Sequence, residues 1–104
     1  VKEIISSEIL ILNNGLKIRL LGVKERPEKN GEAIQFLREK ACGQKVFIKF
    51  DTTKYDEKNN LLCYLYLWNK IFLNAHLIKN GLVDVDVAKD YKYKSKFLTY
   101  MGTK

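Results

Sequence analysis

Asn13-Asn14-Gly15 divides two β-rich runs, and it fixes how the chain must begin. Ile9-Leu10-Ile11-Leu12 stands before it, and Leu16 to Val23 stands after it. Asparagine and glycine tolerate the positive φ that tight hairpin turns demand. Ile4-Ile5 adds a third β-rich pair upstream. The pattern predicts a β-meander: a strand to about Ser6, a second from Glu8 and a third ending near Val23.

Helical spacing appears next, in Ala33, Ile34, Leu37 and Ala41. Asn30 is placed to cap this helix and Gly43 to stop it. Val46 to Phe50 reads as a fourth strand, followed by a polar loop from Thr52 to Asn60. Leu61 to Trp68 reads as a fifth, with a turn at Asn69-Lys70 leading into Ile71-Phe72-Leu73. Asn74 is placed to cap a short helix that ends at Asn80-Gly81. Leu82 to Val87 alternates like a short strand. Ser95 to Met101 predicts a last helix with Phe97, Leu98 and Met101 on one face. The order, with a helix between the third and fourth strands, is that of an α+β domain and is compatible with an OB-fold five-stranded β-barrel with three helices.

At 104 residues the chain is read as one domain, residues 1–104, with a single modest core. A hydrophobic fraction of 46% argues against disorder. No run approaches the roughly 20 apolar residues of a membrane span, and no signal-peptide pattern is present. Val1 at the start suggests a processed chain or a domain of a longer protein. No coiled-coil or dimer seam is visible, so a monomeric domain is expected. Cys42 and Cys63 have no cysteine or histidine at metal-ligand spacing. They read as reduced, buried and inert, which suggests a cytoplasmic protein.

A formal charge of +7 favours acidic partners, nucleic acid before anionic membrane. A lysine-rich proteome would produce the same balance. Within this background Arg19 stands out, because it interrupts an apolar strand and a buried charge needs a partner. Glu25 and Glu28 follow it closely. Arginine with carboxylates at a strand end suits a phosphate or metal site. The structural alternative is an ion pair of Arg19 with Glu8 or Glu28.

These residues carry a likeness. Asn14-Gly15, then Lys17-Ile18-Arg19-Leu20-Leu21-Gly22-Val23, Pro27-Glu28 and Glu32-Ala33 occur in order. Val46 to Asp51, Leu62-Cys63-Tyr64-Leu65-Tyr66 and Asn74 to Leu82 complete the series. In this combination the chain resembles the staphylococcal-nuclease-like (thermonuclease) domain family, over nearly its whole length. The resemblance implies an OB-fold. It also implies Ca²⁺-dependent hydrolysis of phosphodiesters in DNA and RNA, with carboxylates on the cation and arginines on the phosphate.

By that resemblance, Arg19 matches a phosphate-binding arginine and Glu28 matches the catalytic glutamate. Ser6-Ser7-Glu8-Ile9 stands where active members carry Asp-Gly-Asp-Thr, so Glu8 would have to serve as the first metal ligand. The second metal position is Lys24 counted from the strand, or Glu25 counted back from Pro27. Asn60 occupies the place of the second phosphate arginine and Asn59 that of its glycine. Asparagine cannot supply a charged bidentate clamp, and Lys58 is a flexible substitute. The nucleotide-pocket tyrosines of active members fall on Val87 and Lys89 by direct counting. Tyr91 and Tyr93 replace them only with a shift.

Tyr91, Lys92, Tyr93, Lys94 and Lys96 interleave bases with rings, as single-strand-binding OB-folds do. Alternatively, the tyrosines pack under the last helix while the lysines face water. His76, the sole histidine, reads as structural, and Asp84 and Asp86 as the outer face of a short strand. Three functions are therefore weighed. The first is a nucleic-acid-binding domain with a degraded nuclease site. The second is a Ca²⁺-dependent nuclease using Glu8, Glu25, Glu28 and Arg19. The third is a protein-interaction module, which predicts an exposed apolar patch around Trp68 and Phe72 in place of a continuous basic groove.

Overall fold

The computed structural model describes residues 1–102. The meander forms as the turn signal requires. Strand β1 (Glu3–Ile4) pairs antiparallel with β2 (Ile9–Ile11), and β2 with β3 (Lys17–Leu20). Gly15 takes φ +83° in the turn between β2 and β3.

The third strand ends at Leu20, sooner than expected. Gly22 takes φ +83°, and the backbone turns away there. It resumes as β4 (Val23–Glu25), which leaves the main sheet to pair antiparallel with β7 (Val83–Val85). The expected strands, five for the barrel and a short one at Leu82 to Val87, are thus seven among the described residues, in two sheets. The main sheet is completed by β5 (Val46–Lys49) and β6 (Leu61–Leu67), in the order β1-β2-β3-β6-β5. β3 runs parallel to β6, and β5 antiparallel to it. This order is OB-like. Among the described residues no ladder closes β5 onto β1. One backbone hydrogen bond, from Gly43 N–H to the Val1 carbonyl at 3.3 Å, crosses that gap.

Three helices pack on this frame: α1 (Asn30–Ala41), α2 (Leu73–Lys79) and α3 (Lys94–Gly102). α1 buries Ala33, Leu37 and Ala41, a stripe at four-residue spacing that faces the core. Neither expected asparagine cap forms. Asn30 lies inside the first turn, behind a 3₁₀ turn at Pro27–Lys29, and its Oδ1 accepts the Ser7 N–H at 3.3 Å. Asn74 also lies inside its helix and is fully buried. Its Oδ1 accepts the Leu65 N–H at 2.9 Å, and its Nδ2 donates to the Leu21 carbonyl at 2.9 Å. The side-chain amide continues the β3–β6 ladder where β3 has turned away.

On α3 only Phe97 is buried; Leu98 and Met101 are exposed, against expectation. A short surface helix buries a single stripe, and here Tyr100 shares it with Phe97 at 6.4 Å. Cys63 is buried as expected, and burial pushes its thiol up to about 12, but Cys42 is only half-buried. Among the described residues no helix is long and apolar enough to cross a membrane.

Gly22 is where the turn and the packing meet. A Cβ there would lie 2.6 Å from the Phe97 ring and 2.8 Å from the Tyr91 ring. Gly22→Ala is expected to cost about 2–3 kcal/mol through positive-φ strain and overpacking. A thermal melt checks this, with an expected fall in Tm of roughly 10 °C.

Candidate functional site

Arg19 sits mid-strand on β3, paired with Ile9 on one side and Leu62 on the other. Its guanidinium is surrounded by acid. Nη2 is 3.2 Å from Glu8 Oε1, and Nη1 is 3.1 Å from Asp56 Oδ2 and 3.8 Å from Glu57 Oε1. Burial disfavours the charge, but the Asp56 hydrogen bond and the three acids overcome it and raise the Arg19 pKa.

Asp56 is the deeper partner, with its carboxylate fully buried. It accepts the N–H of Lys58 at 2.9 Å, the N–H of Asn60 at 2.8 Å and the Asn60 side-chain amide at 3.0 Å. Burial pushes this acid up. The hydrogen bonds from Asn60, Arg19 and Lys58 outweigh it and hold it down at about 2. The loop before β6 is therefore a turn wound around one carboxylate.

Glu8 is engaged at both oxygens. One meets Arg19, and the other accepts the Glu25 N–H at 2.6 Å. Glu28 does not reach Arg19. It pairs instead with Arg26, whose Nη2 and Nε lie 2.9 and 3.1 Å from Glu28 Oε2. Its own backbone N–H and that guanidinium hold Glu28 below the usual carboxylate range. Arg26 also donates to the Gly81 carbonyl at 3.0 Å and so ties this turn to the end of α2. Of the two structural pairings expected for Arg19, that with Glu8 forms and that with Glu28 does not. Lys24 is exposed, opposite Asp84 in the β4–β7 ladder.

The basic segment divides as its structural alternative predicts. The Tyr91 hydroxyl donates to the Asp86 carbonyl at 2.7 Å, and its ring lies 5.9 Å from Phe97. Burial and the nearby Asp86 push that hydroxyl up to about 12. Tyr93 packs edge-on to Tyr64 at 4.9 Å and stacks on Phe97 at 6.0 Å. Lys92 and Lys96 are exposed, and Lys94 pairs with Asp90 at 3.3 Å. Lys58 is exposed on the Asp56 turn. His76 is half-buried on α2; burial, then Lys79 and Lys40, lower its pKa. Asp84 lies between the buried Val83 and Val85, as an outward strand position should.

The family model described as staphylococcal nuclease homologue matches residues 17–101. The chain belongs to that family. Comparison with curated proteins gave no match.

In this nuclease-homologue domain the charges of the site are paired with one another. Ca²⁺ takes about six to eight oxygen ligands. Among the described residues no three His, Cys, Asp or Glu side chains converge as a metal cage. Glu8 is spent on Arg19 and a backbone N–H, and Glu28 on Arg26. As placed, the carboxylates do not fit that cation. Asn60, which the resemblance sets in the place of the second phosphate arginine, is buried and turned onto Asp56.

Two features of the domain escape sequence reasoning. The Arg19–Asp56 pair spans 37 residues, beyond any local pattern. The bond from Arg26 to the Gly81 carbonyl spans 55 residues and likewise has no local signal. Asp56 did leave a trace: an acidic residue followed by Asn59-Asn60 is a turn signal.

Proposed function

We propose that this nuclease-homologue domain binds nucleic acid and does not cut it at a nuclease's rate. One observation carries the reading: the Arg19 guanidinium is already neutralised from within, by Glu8 at 3.2 Å and Asp56 at 3.1 Å. A phosphate would have to displace a buried, hydrogen-bonded carboxylate to reach it. Loss of one such electrostatic group costs on the order of 10²–10³ in rate. Here the second arginine is replaced as well, and Glu28 is held by Arg26. What remains is a family scaffold with a net charge of +7. Such a surface binds phosphate backbones with weak sequence preference and marked salt dependence.

The test is cleavage of a fluorescent single-stranded DNA with Ca²⁺, beside an EDTA control and the Glu28→Gln variant. Binding is followed in parallel by anisotropy. The expected result is binding that weakens steeply with salt and no chelation-sensitive cleavage. Cleavage lost both on chelation and in Glu28→Gln would overturn the reading and make the domain a metal-dependent nuclease.

A further inference from the structure

Arg19 and Arg26 are both paired with acids, but among the described residues the lysines of another face are not. β6 buries both of its faces as far as Leu65, because the rings of Phe72, Tyr93 and Phe97 surround Tyr64 on its outer side. Beyond Leu65 that cover thins, with Tyr93 and Phe72 still touching Tyr66. Tyr66 becomes half-exposed, and Trp68 is 62% exposed. Directly across the ladder from Tyr66 stands Phe47 on β5, 50% exposed. Alternate residues on a strand share a face. Lys45, Phe47 and Lys49 therefore line one side of this surface, and Tyr66 and Trp68 the other.

An open groove of about 480 Å³ runs here, lined by Phe47, Lys49, Tyr66, Leu67, Trp68 and Lys70. No carboxylate lines it. Lys45, Lys49 and Lys70 form no ion pair among the described residues. Instead the lysines lean over rings: Lys49 Nζ is 5.2 Å from the Tyr66 centroid, and Lys45 Nζ is 6.0 Å from that of Phe47. Phe72 backs the floor, stacked on Tyr66 at 4.5 Å.

We propose that the outer β5–β6 face is a stacking platform for single-stranded nucleic acid. The proposal deepens the nucleic-acid reading above and rests on it. A purely apolar patch would suit a protein partner. This one alternates large rings with unneutralised lysines, and single strands offer both a π face and a phosphate at each nucleotide. The rings take bases without regard to sequence, and the lysines follow the backbone.

Trp68 is the sole tryptophan, so its emission reports on this face alone. Oligo-thymidylate of twelve nucleotides is titrated into the intact domain while Trp68 fluorescence and the anisotropy of a labelled copy are read together. Saturable quenching that tracks the anisotropy and weakens with salt supports the platform. Phe47→Ala should then weaken affinity roughly tenfold, and Lys49→Glu with Lys70→Glu should weaken it further. All three positions are exposed, and circular dichroism confirms that the variants fold. Anisotropy that rises while Trp68 emission stays unchanged, and is indifferent to Phe47→Ala, overturns the platform but leaves nucleic-acid binding intact. Silence in both signals overturns the two readings together. Poly-glutamate quenching as well as the oligonucleotide would reduce the face to a polyanion site and overturn stacking. Self-association by sedimentation, abolished in Phe47→Ala, would make it an interface between copies and also overturn the proposal.

Discussion

Asn74→Asp is expected to lower stability at pH 7 by about 3–5 kcal/mol, although the new side chain has almost the same shape. Asn74 joins three parts of the fold. Its Oδ1 receives the Leu65 N–H, and its Nδ2 serves the carbonyls of Leu21 at 2.9 Å and Cys63 at 3.4 Å. Aspartate keeps the acceptor. It then points a second acceptor, carrying charge, at two carbonyl oxygens in a fully buried place. Stranded buried groups cost about 1–3 kcal/mol each, and small domains hold only about 5–15 kcal/mol in all.

The pH dependence separates this account from simple loss of packing. Burial beside carbonyls raises the folded pKa of the new carboxyl above its unfolded value of about 3.9. The protonated form can donate to Leu21, so the variant's deficit should shrink as pH falls from 7 towards 4.5. The slope should approach 1.4 kcal/mol per pH unit. Asn74→Ala, which cannot titrate, should show a constant deficit over that range. Urea denaturation of the three proteins at several pH values reads both outcomes. Parallel curves for the aspartate and alanine variants would show that Asn74 acts through packing alone.

What the sequence made legible follows from range. The meander, the α1 stripe and the polar loop before β6 are written in neighbouring residues, and each forms, although the third strand of the meander stops at Leu20 and not near Val23. The family likeness rests on the order of many weak local signals, and order survives divergence. The charges are another matter. Arg19 announces that it needs a partner, but its partners are 11 and 37 residues away, and the choice among several acids is made by the fold. Glu28 sits nearer in sequence than Asp56 and is nonetheless taken by Arg26. Asparagine at a helix start reads as a cap, because capping is its commonest local use. Only the early end of β3, forced by Gly22, opens the gap that Asn74 fills. The apolar patch expected around Trp68 and Phe72 is half right: Trp68 is exposed but Phe72 packs against the core, and the exposed ring beside Trp68 is Phe47, which looks like an ordinary strand residue in the sequence.

Asp56→Ala is expected to cost about 3–4 kcal/mol at pH 7 and to flatten the acid limb of the stability curve. At neutral pH the loss has a direct cause. Four donors converge on this carboxylate: the Lys58 and Asn60 N–H groups, the Asn60 amide and Arg19 Nη1. Removing it strands the buried Asn60 N–H and leaves Arg19 with Glu8 and the more distant Glu57. The sign of the pH effect comes from the direction of the shift. Asp56 is held down at about 2 in the fold, against 3.8 for the free group. Its ionised form therefore adds stability at every pH above about 4. That contribution, roughly 2 kcal/mol, disappears as pH falls through about 2. Wild type should thus lose stability over this window faster than Asp56→Ala, and the two curves should converge. The same variant tests whether Arg19 is reserved for the interior. With Asp56 gone, an arginine that is merely withheld from phosphate should bind inorganic phosphate or an oligonucleotide more tightly than before. Curves that stay parallel below pH 4 would mean that Asp56 is not the carboxylate that anchors Arg19, and the neutralised centre on which the binding-only reading depends would have to be given up.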